Sequence, residues 1–222
     1  MSRRDSPVGI FGGTFDPVHF GHLRLAQEIA EHCGMSEVRI VPAGIPPHRN
    51  QPHCAASHRL EMVRIAIRGN PLFFADPLEV EKQTPCYSVE SLECFRETHG
   101  RDRPLCLMVG ADAFLGLHTW HRWREIFGLA HVVMARRPGF DIHRAMHAEL
   151  GEEFKNRLAS GPEALRAAPC GMILPVDITL LDISSSKIRT CLGEGRSARY
   201  LVPDGVLRHI ETQILYRKLN GR

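Results

Sequence analysis

Apolar positions fall into two rhythms along this chain. Val8–Phe11, Val38–Val41, Leu105–Val109 and His131–Ala135 are short, nearly continuous apolar runs. Runs of that length without polar alternation suit strands buried on both faces of a parallel sheet. Between them the spacing is helical. Leu23, Ala26, Ile29, Ala30 and Cys33 trace one stripe, and Gly34 follows as a stop. Leu60, Val63, Ala66 and Ile67 trace a second, with Ser57 as its expected N-cap. Val89, Leu92 and Phe95 trace a third, capped by Ser88 and closed by Gly100. Leu72–Phe74, Pro77–Val80, Met172–Leu174 and Ile178–Leu181 are further extended candidates, and Trp120 to Phe127 is a short helix candidate. Residues 140 to 170 are the most polar part and are expected to be a helical insertion or connection. Ile183 to Gly193 and a segment opened by Pro203, with Val206, Ile210 and Ile214 on one side, are the last helices.

Strands that alternate with helices imply an α/β fold: a doubly wound, mainly parallel sheet with helices on both faces. The expected organisation is a single domain over residues 1–222, with a small helical C-terminal part from about residue 184. In such sheets ligands bind beyond the carboxyl ends of the strands. Four loops follow strands: the glycines after Phe11, the proline-rich stretch Pro42–His53, Gly110-Ala111-Asp112, and Arg136-Arg137. They are expected to gather at one edge.

Composition narrows the class without changing it. Hydrophobic content is 43% and charged content 24%, ordinary for a water-soluble globular chain. No run approaches the ~20 apolar residues of a membrane span, and the N-terminus does not read as a signal peptide. Seven cysteines lie scattered without a Cys-x-x-Cys pair, which points to reduced thiols and the cytoplasm. A net charge of +3 is mild. It suits small anions and does not indicate a nucleic-acid binder.

The chemistry concentrates in Gly12-Gly-Thr-Phe-Asp-Pro-Val-His-Phe-Gly-His22. A strand breaks into glycines, which admit close approach of a ligand to backbone. The loop then opens a helix, whose first N–H groups and partial positive charge suit phosphate. His19 and His22 are three apart and share a face of that first turn. Asp16, before Pro17, shapes the turn. Zinc binding by the two histidines lacks further ligands at a suitable spacing. A second helix start, Ile183-Ser-Ser-Ser-Lys-Ile-Arg189, has Ser184 as its expected cap and Arg189 near the same end.

The first stretch resembles the leading signature of the HxGH nucleotidylyltransferase superfamily, and the second resembles its Ile-Ser-Ser-Thr-x-Ile-Arg signature, with Ser186 where threonine is usual. With Pro46-Pro-His48, Gly110-Ala-Asp112, Thr119-Trp120 and Arg137-Pro-Gly139 between them, the order is similar to bacterial nicotinate-nucleotide adenylyltransferases over residues ~8 to ~217. The resemblance implies a Rossmann-like fold and adenylyl transfer from ATP to nicotinate mononucleotide in NAD biosynthesis, with magnesium carried on ATP and no protein metal site. It implies His19, His22 and Arg189 as catalytic groups, and Gly12, Gly13, Thr14, Phe15, Ser185, Ser186 and Arg137 at ATP. His48, Thr84, Gly110, Asp112 and Trp120 would meet the acceptor nucleotide, with Arg49 as a further phosphate contact. Neither a nucleic acid nor a membrane is an expected partner. The rivals are the same chemistry on nicotinamide mononucleotide or phosphopantetheine, and a non-catalytic nucleotide sensor. A class I tRNA synthetase shares His-x-Gly-His, but the chain has no Lys-Met-Ser-Lys-Ser run.

Overall fold

The computed structural model describes residues 6–45, 51–136, 145–179 and 181–217. Six strands form one sheet: β1 (Val8–Gly13), β2 (Glu37–Pro42), β3 (Phe73–Ala75), β4 (Leu105–Gly110), β5 (His131–Arg136) and β6 (Ile173–Asp177). Their order is β3-β2-β1-β4-β5-β6, and every neighbouring pair is parallel. This is the doubly wound dinucleotide-fold order, and its switch point lies between β1 and β4. The expected Rossmann-like sheet is thus present, and it is parallel throughout.

Period-two alternation explains the continuous apolar runs. In β4, Cys106 and Met108 enter one core while Leu105, Leu107 and Val109 enter the other. In β5, Val133 and Ala135 face the first core, Val132 and Met134 the second. Each fully buried side chain of this kind contributes about 1.5–3 kcal/mol. Strand propensity spans only about 1 kcal/mol, so two-sided burial sets these strands.

The first core is covered by α1 (Phe20–Cys33), α2 (Ala56–Ala66), α7 (Ser185–Gly193) and α8 (Asp204–Thr212). The second is covered by α3 (Ser88–His99), the short α4 (Ala111–Leu115) and α5 (Ile126–Leu129), and α6 (Ala148–Arg157). Gly34 ends α1 in the left-handed conformation, its N–H shared by the carbonyls of Ala30 and Glu31.

Five expectations need correction. Pro77–Val80 is a turn, and the strand beside it is the three-residue Phe73–Ala75. Among the described residues of 178–181 there is no strand, because the ladder with β5 ends at Asp177. Ser57 and Ser88 are not caps: Ala55 and Tyr87 occupy those positions without a side-chain bond. Trp120–Phe127 is broken into a 3₁₀ turn and α5. Ile214 lies past the end of α8 and is 61% exposed. The polar stretch after β5 supplies the crossover to β6: α6 buries Leu150 and Phe154.

Candidate active site

The carboxyl ends of β1 and β4 and the start of α7 enclose a cleft of about 710 Å³ at the switch point. The loop after β1 forms its floor. A side chain at Gly12 would project into open space, so the glycine leaves that room to a ligand. The left-handed residue of this loop is Phe15 (φ 49°), not a glycine. Its ring is buried in edge contact with Phe11 and His22, at 5.5 and 5.0 Å. Phe15 therefore offers the cleft backbone, while its side chain locks the loop to the core.

His19 is the N-cap of α1. Its Nδ1 accepts the His22 N–H at 3.4 Å, which leaves the neutral ring's proton on Nε2. The two imidazoles stack with centroids 3.7 Å apart. A Cβ at Gly21 would lie 3.0 Å from His19 Nδ1, so any side chain between the histidines would press on the His19 ring. Burial holds His19 down to about pKa 4. It holds His22 well below the ordinary imidazole value as well, with the neighbouring His19 charge adding to the effect. Both rings are neutral at pH 7, and His22 Nδ1 is buried without a hydrogen-bond partner.

The second signature closes the cleft. Ser184 caps α7, its Oγ accepting the Lys187 N–H at 3.2 Å. Ser185 Oγ donates to the Pro17 carbonyl at 2.9 Å. Arg189 Nη1 donates to the Asp16 carbonyl at 2.7 Å, and Nη2 to Ser186 Oγ at 3.2 Å. The Ser185–Pro17 and Arg189–Asp16 bonds, spanning 168 and 173 residues, join the two signatures into one wall.

Sequence reading missed three contributors. Asp16 does more than shape a turn: it is 3% exposed, its Oδ2 accepts the His53 N–H at 2.8 Å, and its Oδ1 accepts the Tyr216 hydroxyl at 2.7 Å. Arg59, 1% exposed, donates to the carbonyls of Thr14 (2.7 Å), Gly44 (3.2 Å) and Cys54 (3.2 Å). It thereby ties the glycine loop to the proline-rich loop. A lone arginine on a helix and a tyrosine near the C-terminus carry no motif that could have flagged them.

The cytidylyltransferase-like family model matches residues 10–191. A protein of Dechloromonas aromatica (strain RCB) named "Probable nicotinate-nucleotide adenylyltransferase" is 52% identical over 212 residues, covering 95% of this chain and 98% of the relative. The chain belongs to the nicotinate-nucleotide adenylyltransferase family. A Methylococcus capsulatus relative of the same printed name is 46% identical, over 95% of this chain and all of its own. Among solved structures, the Plasmodium falciparum nicotinic acid mononucleotide adenylyltransferase complexed with NaAD superposes with a TM-score of 0.69. At 17% identity, with 95% of this chain and 97% of that one covered, it is a likeness of fold.

Against the pattern expected of an adenylyltransferase of this family, Gly12, Gly13, Thr14, Phe15, His19, His22, Gly110, Asp112, Ser185, Ser186 and Arg189 all line the one cleft. Thr84 and Trp120 do not. Thr84 is exposed in the turn before α3, and Trp120 packs half-buried with Tyr87 against the second core. The Tyr87 ring lies 4.5 Å from His121, so those two segments are neighbours. Trp123 is buried core. His48, Arg49 and Arg137 lie outside the described residues. Arg136 lines the cleft and is held by Asp177 in a two-point ion pair at 2.8 and 2.9 Å.

Proposed function

We propose that this chain transfers the adenylyl group of ATP, taken as its magnesium complex, to the phosphate of nicotinate mononucleotide. An acceptor phosphate oxygen attacks the α-phosphorus, the bond to the β-phosphate breaks, and deamido-NAD and pyrophosphate form. The observation that carries this reading is the convergence of both helix-start signatures on one cleft, through Ser185 to Pro17 and Arg189 to Asp16. Full-length relatives bearing the enzyme's name support the same reaction.

The attacking phosphate is already largely dianionic at pH 7, its second pKa being about 6. No proton must be removed, so the protein's task is alignment and charge stabilisation. Backbone N–H groups of Gly12 to Phe15 and the starts of α1 and α7 cradle the triphosphate. His19, His22 and Arg189 stabilise the charge that builds on the departing pyrophosphate, with Ser185 and Ser186 alongside. Gly110 and Asp112 face a nucleotide sugar. Thr84 and Trp120, outside the main cleft, hold the pyridine ring, where the indole offers a stacking face, and His48, Arg49 and Arg137 complete the phosphate contacts.

Among the described residues no three His, Cys, Asp or Glu side chains gather in a metal-holding group. Magnesium arriving on the triphosphate would bring most of its ligands with it, so this reading asks few of the protein. All seven cysteines are free thiols, as suits the reducing cytoplasm where this reading puts the enzyme.

A pyrophosphate-release assay with magnesium ATP tests the reading. Nicotinate mononucleotide is expected to be the best acceptor, ahead of nicotinamide mononucleotide and phosphopantetheine. Faster release with either of the other two would overturn the acceptor, and no release with any would overturn the reaction.

A further inference from the structure

The chain's last described turn reaches back to its first signature. After α8, the Leu215 N–H donates to Ile210 O at 2.9 Å. Ile214 (φ 54°) and Tyr216 (φ 62°) both take the left-handed conformation. That region is uncommon for any side chain and rarer still for a β-branched one. Such strain persists only where the surroundings over-determine it. Here the turn brings the Tyr216 hydroxyl to Asp16 Oδ1, 2.7 Å away across 200 residues of chain.

Asp16 is the junction of the site's two halves. Its carbonyl takes Arg189 Nη1 at 2.7 Å, its Oδ2 lies 3.9 Å from the same guanidinium, and that oxygen also accepts the His53 N–H at the end of the proline-rich loop. We propose that Tyr216 is a positioning residue for adenylyl transfer: its hydroxyl holds the Asp16 carboxylate where Arg189 and the proline-rich loop meet. The inference rests on the reaction proposed above.

The physical reason is the sign of the charge. A cleft that takes a triphosphate and a second phosphate repels a loose carboxylate. Asp16 is tolerable there because each of its oxygens already accepts a hydrogen bond from the protein, Oδ1 from the Tyr216 hydroxyl and Oδ2 from the His53 N–H. Without the phenol, Oδ1 is buried and unpaired. The carboxylate then either turns toward the cleft or draws Arg189 into a tighter pair, away from the leaving group. Burial, aided by the charge of Asp16, pushes the Tyr216 phenol up, so it remains a donor at neutral pH.

The test uses full-length Tyr216→Phe, which keeps the ring and removes one oxygen, assayed below its melting temperature. The expected result is a fall in kcat of about tenfold with both KM values little changed, and faster amide exchange at His53. Asp16→Asn combined with Tyr216→Phe is expected to be no slower than Asp16→Asn alone. A kcat within about twofold of wild type, or losses that multiply in the double variant, would overturn the proposal. Should wild-type protein release no pyrophosphate, the reaction fails on its own. The His53 amide then decides the Tyr216 anchor: faster exchange in Tyr216→Phe keeps it, and unchanged exchange removes it.

Discussion

Two stacked imidazoles held neutral by burial are a poor resting place for charge and a good one for charge that arrives with a ligand. His19 is held down to about pKa 4 and His22 well below its usual value, both chiefly by desolvation. A triphosphate in the cleft favours the protonated forms. NMR titration is expected to show both rings neutral at pH 7 in the free protein, and their pKa values raised when a nonhydrolysable ATP analogue binds. Unchanged titration would remove their electrostatic role. His22→Ala is expected to lower kcat by about 10²–10³, by analogy with loss of one oxyanion donor. Activity within a few-fold of wild type would exclude it. Arg59 acts on the same loop from beneath. Arg59→Met leaves the carbonyls of Thr14, Gly44 and Cys54 short of a donor, with an expected loss of about 1–3 kcal/mol for a buried unpaired group. Urea unfolding measures that loss, and an unchanged midpoint would show that water replaces the guanidinium.

At the scale of elements, the helix starts divide into those that matter to the site and those that do not. Ser184 caps α7 through its own side chain. Ser184→Ala is therefore expected to cost about 1 kcal/mol and to loosen the wall that Ser185 and Arg189 build. Ser57 and Ser88 fall inside their helices, so their alanine variants are expected to stay within about 0.5 kcal/mol of wild type. Thermal and urea melts of the three variants settle the contrast, and equal losses would contradict it. The proline-rich loop shows why glycine is placed where it is. A Cβ at Gly44 would lie 1.9 Å from the Glu79 carbonyl oxygen, a backbone atom that cannot step aside. Glu79 is itself pinned, with Ser91 Oγ donating to Oε1 at 2.7 Å.

Over the whole molecule the buried histidines make stability depend on pH. His131 is fully buried in β5, its Nε2–H directed at the Ala168 carbonyl at 2.9 Å and its Nδ1 accepting the Met172 N–H at 3.1 Å. Burial lowers its pKa, as it does those of His19 and His22. A histidine whose folded pKa lies below its unfolded value binds more protons when unfolded. Its contribution is thus whole above about pH 6.5 and is lost as pH falls toward the folded value, about 4 for His19. Chemical denaturation of the free protein is expected to show stability falling across that window. A bound ATP analogue is expected to soften the fall by raising the folded pKa values of His19 and His22. A flat profile between pH 6.5 and 4 would contradict both.

What the residues determined unaided was local and periodic. The strands β1, β2, β4 and β5, the stripe of α1, and the two helix-start signatures were legible because side-chain spacing and glycine placement depend only on near neighbours in sequence. Strand edges such as Pro77–Val80 and residues 178–181 were not, because a ladder ends where its partner does, and the partner is elsewhere in the chain. The same holds for the site. His19, His22, Ser185 and Arg189 announced themselves by motif. Asp16 as a junction, Arg59 as a staple and Tyr216 as an anchor rest on contacts 15 to 200 residues distant. Spacing along the chain carries no trace of such contacts. Folding brings those residues together, and the low dielectric of the interior then gives each of their hydrogen bonds its weight.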